Sequence, residues 1–281
     1  MWIAYSLLSA LFSALCSILE KKALFRLDPL EFSCALYFCL ALLFSAAFLI
    51  LGAGPLPSDA STLLFIYLKS LTNAVSFLLI MHGIKRMELS AGLPLLLLTP
   101  VFVAVFGYLL FGDAVSPRQL SGIGLIAVGG YTLMRGGRSA SGGYAYYFAA
   151  LLVLTGSALL NRYILINKNI SPLTFAFVEH LFAAPNLFLL AFMLGRRPGA
   201  ALSALRGLPL ILAGVAAATA LYRFFEVAAM AQANPALVTA LKRLAVVLSV
   251  LVGGKLFREQ DAGRRAAAAL VMFLGAALVA L

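Results

Sequence analysis

Residues 30–51 read LEFSCALYFCLALLFSAAFLIL, twenty-two positions whose one charged side chain, Glu31, stands at the entrance. As a helix rising 1.5 Å per residue, this run reaches about 33 Å and matches the ~30 Å hydrocarbon core of a bilayer. It is entered through Leu27-Asp28-Pro29, with proline at a helix start, where its missing N–H does no harm. Working outward, comparable runs occupy 2–24, 61–84, 91–111 and 119–134, and then 144–166, 172–194, 208–230, 235–257 and 264–281. Of the 281 residues, 63% are hydrophobic and 11% charged, against roughly 45–50% and 25% in a soluble domain. A backbone that spans lipid must satisfy its own hydrogen bonds, as helices or as a closed barrel. These segments are long, continuous and rich in Leu, Ala and Phe, without the ten-residue alternation of barrel strands. The expected fold is an all-α integral membrane protein with ten transmembrane helices.

The two sets of five runs resemble each other. Leu27-Asp28-Pro29-Leu30-Glu31-Phe32 opens the second run and Ile170-Ser171-Pro172-Leu173-Thr174-Phe175 opens the seventh. The fourth ends Phe111-Gly112-Asp113 and the ninth Phe257-Arg258-Glu259, with an acid just past each. Lys69, Thr72, Asn73 and Ser76 fall at i, i+3, i+4, i+7 on one helix face, and Thr219, Tyr222, Arg223 and Glu226 repeat that spacing. The expected organisation is a five-helix repeat at 1–134, a Gly/Ser/Arg connection at 135–143 and a second repeat at 144–281. Five is odd, so the second repeat enters the membrane in the opposite sense to the first, which is the inverted-repeat plan of many carriers.

The formal net charge of +11 does not indicate nucleic acid, because most basic residues sit in short loops rather than on a solvated basic face. Loops after runs one, three, five, seven and nine hold Lys21, Lys22, Arg26, Lys85, Arg86, Arg135, Arg138, Arg196, Arg197, Arg206, Lys255, Arg258, Arg264 and Arg265. The even-numbered loops hold only Arg118, Arg162 and Lys168. The positive-inside rule then places the odd loops in the cytoplasm and both termini outside, in a multi-pass protein of the cell inner (plasma) membrane. The first run lacks a basic leader and a small-residue cleavage site, so it reads as a retained span. Cys16, Cys34 and Cys39 lie within apolar runs, show no metal-ligand spacing and read as small packing residues.

Lys69, Glu179, His180, Arg223, Glu226, Lys242 and Arg243 all fall inside the apolar runs. Each lysine or arginine at a helix centre costs roughly 2.5–3.5 kcal/mol on insertion scales, so such residues face water, pair or serve function. Lys242 and Arg243 diverge by about 100° around a helix, so at least one points into the bundle, where it suits an anion; snorkelling is the other reading. Arg223 and Glu226 form either a structural lock or, beside Tyr222, part of a solute or proton site. Lys69 either snorkels or joins Asn73 at the site. Glu179-His180 is either a proton relay or a packing pair, with Tyr37 at the corresponding place in the second run. His82, near a helix end, is expected at the interface. No phosphate-binding Gly-rich loop, H-E-x-x-H or nucleophile elbow occurs, so neither an enzyme nor a cofactor or metal site is expected.

The repeated five-run halves, with Thr99-Pro100 leading to Phe111-Gly112-Asp113 and an echo at Leu256-Phe257-Arg258-Glu259, resemble the drug/metabolite transporter superfamily in its EamA-type branch. The resemblance covers essentially the whole chain. It implies a carrier with a central cavity between the halves, for solutes that include amino acids, sugars, nucleotide sugars and organic phosphates. Ala240-Leu241-Lys242-Arg243-Leu244 is similar to the Lys-Arg pair that holds substrate phosphate in the organic-phosphate translocators of that superfamily. Those translocators add a lysine from the fourth helix, where this chain has only aliphatic residues at 95–98. A carboxylate or zwitterion is therefore as reasonable as a phosphate. The branch usually has both tails in the cytoplasm, opposite to the charge count.

Together these features lead us to expect a secondary transporter of a small polar solute, anionic or zwitterionic, working by alternating access. Substrate-binding candidates are Lys242, Arg243, Tyr222, Arg223, Tyr37, Asn73 and Lys69; proton-coupling candidates are Glu226, Glu179 and His180. The cavity is expected between runs two, three, four, seven, eight and nine. Partners would be the solute and the lipid bilayer, with coupling to protons or a counter-substrate, in a monomer or weak homodimer. An exporter or flippase of amphipathic molecules, and a non-transporting scaffold, are the alternatives.

Overall fold

The computed structural model describes residues 1–52, 54–87, 93–134, 143–168, 170–195, 207–245, 248, 249, 252 and 262–280. Among them are ten α-helices and no strand: α1 (Trp2–Leu24), α2 (Pro29–Leu51), α3 (Ala60–Arg86), α4 (Thr99–Phe111), α5 (Pro117–Met134), α6 (Gly143–Asn167), α7 (Pro172–Met193), α8 (Pro209–Met230), α9 (Pro235–Lys242) and α10 (Ala262–Ala280). α1, α2, α3, α6, α7 and α8 are long and apolar enough to cross a membrane; α4 and the stretch Leu270–Val279 are shorter apolar helices. Leu49, Leu210, Phe192 and Met193 stand exposed on the outside of the bundle, a surface that suits lipid and not water.

Local chemistry sets where the helices begin. Asp28 accepts from the Leu30 N–H ahead of α2, Ser171 from Thr174 ahead of α7, and Asn234 from Ala236 ahead of α9; each is followed by a proline in the first turn. These side chains satisfy amide groups that no helical carbonyl can reach. Asp59 caps α3 in the same way, and the hydroxyls of Ser61 and Thr62 together with the Thr62 N–H hold its carboxyl well below the usual carboxylate range.

The run at 91–111 departs from the expected continuous helix. A 3-10 turn, Leu93–Leu98, leads into α4. Pro100 has no N–H for the Leu96 carbonyl, and the Thr99 hydroxyl donates to that oxygen instead, at 2.7 Å. Arg162, counted with the loops in the sequence, lies within α6. The connection at 135–142, the ninth run beyond 252 and the loop cations Arg135, Arg138, Arg196, Arg197, Arg206, Lys255 and Arg258 lie outside the described residues.

The helices pack by an exchange pattern. α2 packs on α7, α4 on α9 and α5 on α10. α1 lies against α8 while α6 lies against α3; α3 meets α7 while α8 meets α2; α1 meets α9 while α6 meets α4. Moving every helix five places along the chain returns each of the first three contacts to itself and turns each of the other six into its counterpart. Where α5 crosses α10, a Cβ added to Gly122 would lie 2.6 Å from the Gly275 carbonyl oxygen, and a Cβ on Gly275 would lie 2.6 Å from that of Gly122. Each glycine makes room for the other's backbone, as small residues do between membrane helices.

Gly122→Leu or Gly275→Leu should therefore lower stability by about 1–3 kcal/mol, the usual cost of overpacking. Gly124, with open space where a Cβ would go, should accept alanine with an unchanged or raised melting temperature. Thermal melts of the purified protein in detergent check the contrast.

Candidate functional site

Two groups of buried polar side chains lie inside the bundle. The first joins α2, α3 and α7. Lys69 Nζ and Asn73 Nδ2 each donate to Glu179 Oε1 at 2.7 Å. Lys69 is 1% exposed and Glu179 2%, so this pair is fully desolvated. Lysine on the inward face of α3 has not snorkelled; its charge is matched in place. His180 turns Nδ1 to the Ala176 carbonyl at 2.8 Å and stacks on Phe44 and Tyr37, with ring centroids 4.6 and 5.7 Å apart. Asn186 on α7 donates to Ser70 on α3 at 3.3 Å, a second polar tie between these helices.

The second group surrounds a cavity of about 110 Å³. Its described walls come from α1, the 3-10 turn with the start of α4, and α3, α6, α8 and α9. Helices α1 and α6 thus take the places that the sequence reading gave to α2 and α7. Lys242 Nζ lies 2.7 Å from Glu226 Oε2, and Arg223 Nη1 lies 3.9 Å from the same oxygen. Lys242 Nζ also sits 4.7 Å from the centre of the Tyr222 ring, a distance at which a cation is drawn to the aromatic face. Lys242 and Arg243 both line the cavity although they are consecutive. The regular turns of α9 end between them, with Arg243 as the C-cap. Arg223 Nε and Arg243 Nε are buried without a hydrogen-bond partner among the described residues.

Glu20, on α1, supplies a second carboxylate to this wall. Cys16 Sγ donates to Glu20 Oε1 at 3.2 Å and lies 3.0 Å from Thr219 Oγ1. Asn161 on α6 also faces the cavity. The sequence reading passed over Glu20 because it stands one turn from the end of α1, beside Lys21 and Lys22, where a carboxylate reads as part of the loop. It also took Cys16 as packing only. The available signal was the spacing, since Cys16 and Glu20 fall at i and i+4.

Of the ten candidates from the sequence, Tyr222, Arg223, Glu226, Lys242 and Arg243 line the cavity. Lys69, Asn73 and Glu179 form the first group, with Tyr37 and His180 stacked beside it. Toward one end of the bundle, two acids of the first half meet two bases of the second. Arg162 on α6 grips Asp113 with Nε and Nη2 at 2.8 and 2.6 Å. Lys168 lies 3.7 Å from Asp59 and donates to Ser61 Oγ at 2.6 Å.

An all-helical bundle with a lipid-compatible surface and charged side chains around an internal cavity defines a multi-pass membrane protein. Residues 1–135 match the model of the EamA-like transporter family. The match spans just under half of the chain, and over those residues the sequence is similar to that family. A solved structure described only as the crystal structure of a protein superposes with a TM-score of 0.72. It shares 18% identity and the match covers 97% of this chain and 98% of that one, so the fold is common to both. No curated protein matches the chain significantly.

Removing one partner of a buried ion pair strands the other, a loss of about 3–5 kcal/mol, whereas replacing both by apolar residues is often close to neutral. Lys69→Met and Glu179→Met should each lower the melting temperature strongly, and the double variant should recover most of the loss. Melts of the three proteins in the same detergent check whether this pair acts as a lock.

Proposed function

We propose that the protein is a secondary active transporter that carries a small anionic or zwitterionic metabolite by alternating access between two inverted five-helix repeats, 1–134 and 144–281, joined by 135–143. The observation that carries this reading is the charge in the cavity. Arg223, Lys242 and Arg243 face two carboxylates, Glu20 and Glu226, and Lys242 with Arg223 is drawn to one of them, Glu226. Guanidinium nitrogens left without partners in a desolvated site are donors waiting for an acceptor. A carboxylate or phosphate group supplies it, and the Tyr222 ring offers a flat face to the rest of the solute.

The exchange pattern of helix contacts supports two repeats related by a two-fold axis, and an odd number of helices per repeat makes that axis lie in the membrane plane. In such a plan the halves rock around a fixed site. The Asp113–Arg162 and Asp59–Lys168 pairs tie the first half to the second at one end, so they would hold that end shut and part when it opens. The basic loops favour the cytoplasm for the opposite end and an outside location for both termini, in the inner membrane. Binding of the solute anion lowers the charge cost of moving the cavity between its two exposures, which couples occupancy to the rocking step.

Lys242→Ala and Arg243→Ala should each reduce uptake of organic anions into proteoliposomes by about tenfold or more, since a hydrogen bond to a charged group contributes roughly 1.5–3 kcal/mol. Both variants should reach the membrane in normal amounts. Uptake across a panel of dicarboxylates, amino acids and sugar phosphates at wild-type rates in both variants would overturn the reading. Transport confined to lipid-like molecules would favour a flippase instead.

A further inference from the structure

We infer that Glu20 is the proton-carrying carboxylate of the cavity, the group whose protonation accompanies the solute. The inference rests on the proposed transport function and adds to it a site on α1. Three buried carboxylates lie inside the bundle with different company. Glu179 is held by Lys69 and Asn73, and Glu226 by Lys242 with Arg223 beyond it. A further carboxylate, the half-buried Asp113, is gripped by Arg162 toward the end of the bundle. Glu20 has no ion pair among the described residues, and its carboxylate accepts one hydrogen bond, from a thiol. A thiol is a weak donor.

A carboxylate matched by a lysine at 2.7 Å keeps its negative charge, because taking up a proton would strand the lysine. Glu226 and Glu179 are therefore poor proton carriers. Glu20 is 5% exposed and must become neutral whenever the cavity closes around it, since an unmatched charge in a desolvated membrane interior is among the costliest arrangements a bundle can hold. A proton added to a Glu20 oxygen neutralises it without any rearrangement of the helices. Released to the opposite side, the proton leaves the carboxylate facing water.

The surroundings leave Glu20 this freedom. The adjacent Lys21 donates to the Ile84 and Met87 carbonyls at 2.6 and 2.8 Å, where it caps the end of α3. On α1 itself the titratable neighbour is Cys16. From α8, Arg223 and Tyr222 line the same cavity as Glu20. Lys242 and Arg243 face the cavity from α9, with Lys242 already turned to Glu226. Arg223 is thus the cation that links Glu20 to the solute-binding cluster, so an anion arriving at Arg223 withdraws positive potential from Glu20 and favours its protonation. Solute anion and proton then load together.

Infrared difference spectra of the full-length protein in lipid, recorded as the pH is stepped from acid to alkaline, test the assignment without any solute. The carbonyl stretch of a protonated carboxyl should titrate in the wild type, vanish in Glu20→Gln and persist in Glu226→Gln. Glu20→Asp, which keeps the carboxyl, should retain the band with a displaced midpoint and guards against a Glu20→Gln protein that fails to fold. A band that survives Glu20→Gln, or one that disappears in Glu226→Gln, would overturn the inference. Because the experiment involves no transport, its failure leaves the transporter reading to be judged by the uptake assay, and failure of uptake leaves the titration standing.

Discussion

Everything inside this bundle is governed by the cost of holding charge away from water. Glu20, Lys69, Asp113, Arg162, Glu179, Arg223, Glu226, Lys242 and Arg243 stand within or at the edge of an apolar helical bundle. Each must be matched, wetted or neutralised, because the hydrocarbon offers no other relief. Lys69 with Glu179 represents the first solution, a matched pair without water. Glu226 with Lys242 is matched but lies against a cavity. Arg243 and Glu20 line that cavity without a matching partner among the described residues, and the functional reading grows from them.

The same constraint accounts for the way α3 and α8 divide their tasks. Both carry a polar stripe at helical spacing, and α3 packs on α6 as α8 packs on α1. On α3, Lys69 and Asn73 of the stripe meet Glu179 of α7 in a closed cluster, and Ser76 reaches the cavity wall. On α8 it meets the cavity, with Tyr222, Arg223 and Glu226 at its wall. Of two helices with matching neighbours, α3 thus carries the lock beside the cavity and α8 supplies the charges in it.

Much of this arrangement was legible in the sequence. Hydrophobic length located α1, α2, α3, α6, α7 and α8 to within a few residues, because the bilayer fixes the length a span needs. Helical spacing also put Asn73 on the face of Lys69 and Glu226 on that of Tyr222. The fourth run was less legible, since its 3-10 start depends on Pro100 freeing the Leu96 carbonyl and on Thr99 satisfying it. Cavity walls were the least legible part. Spacing along one helix says which side chains share a face but not which neighbour that face meets, so α1 and α6 were missed along with Glu20 and Asn161. Lys69 shows the same limit, because its partner lies 110 positions away.

Accessibility of the cavity from the two sides of the membrane bears most directly on the account. Thr239, on the wall formed by α9, can be replaced by cysteine in a protein whose Cys16, Cys34 and Cys39 have been changed to serine or alanine. The account predicts that a membrane-impermeant thiol reagent labels this cysteine from either side, and that breaking the Asp113–Arg162 pair with Arg162→Gln shifts the balance toward the side those residues close. Labelling from one side only, unmoved by Arg162→Gln, or from neither side, would contradict it.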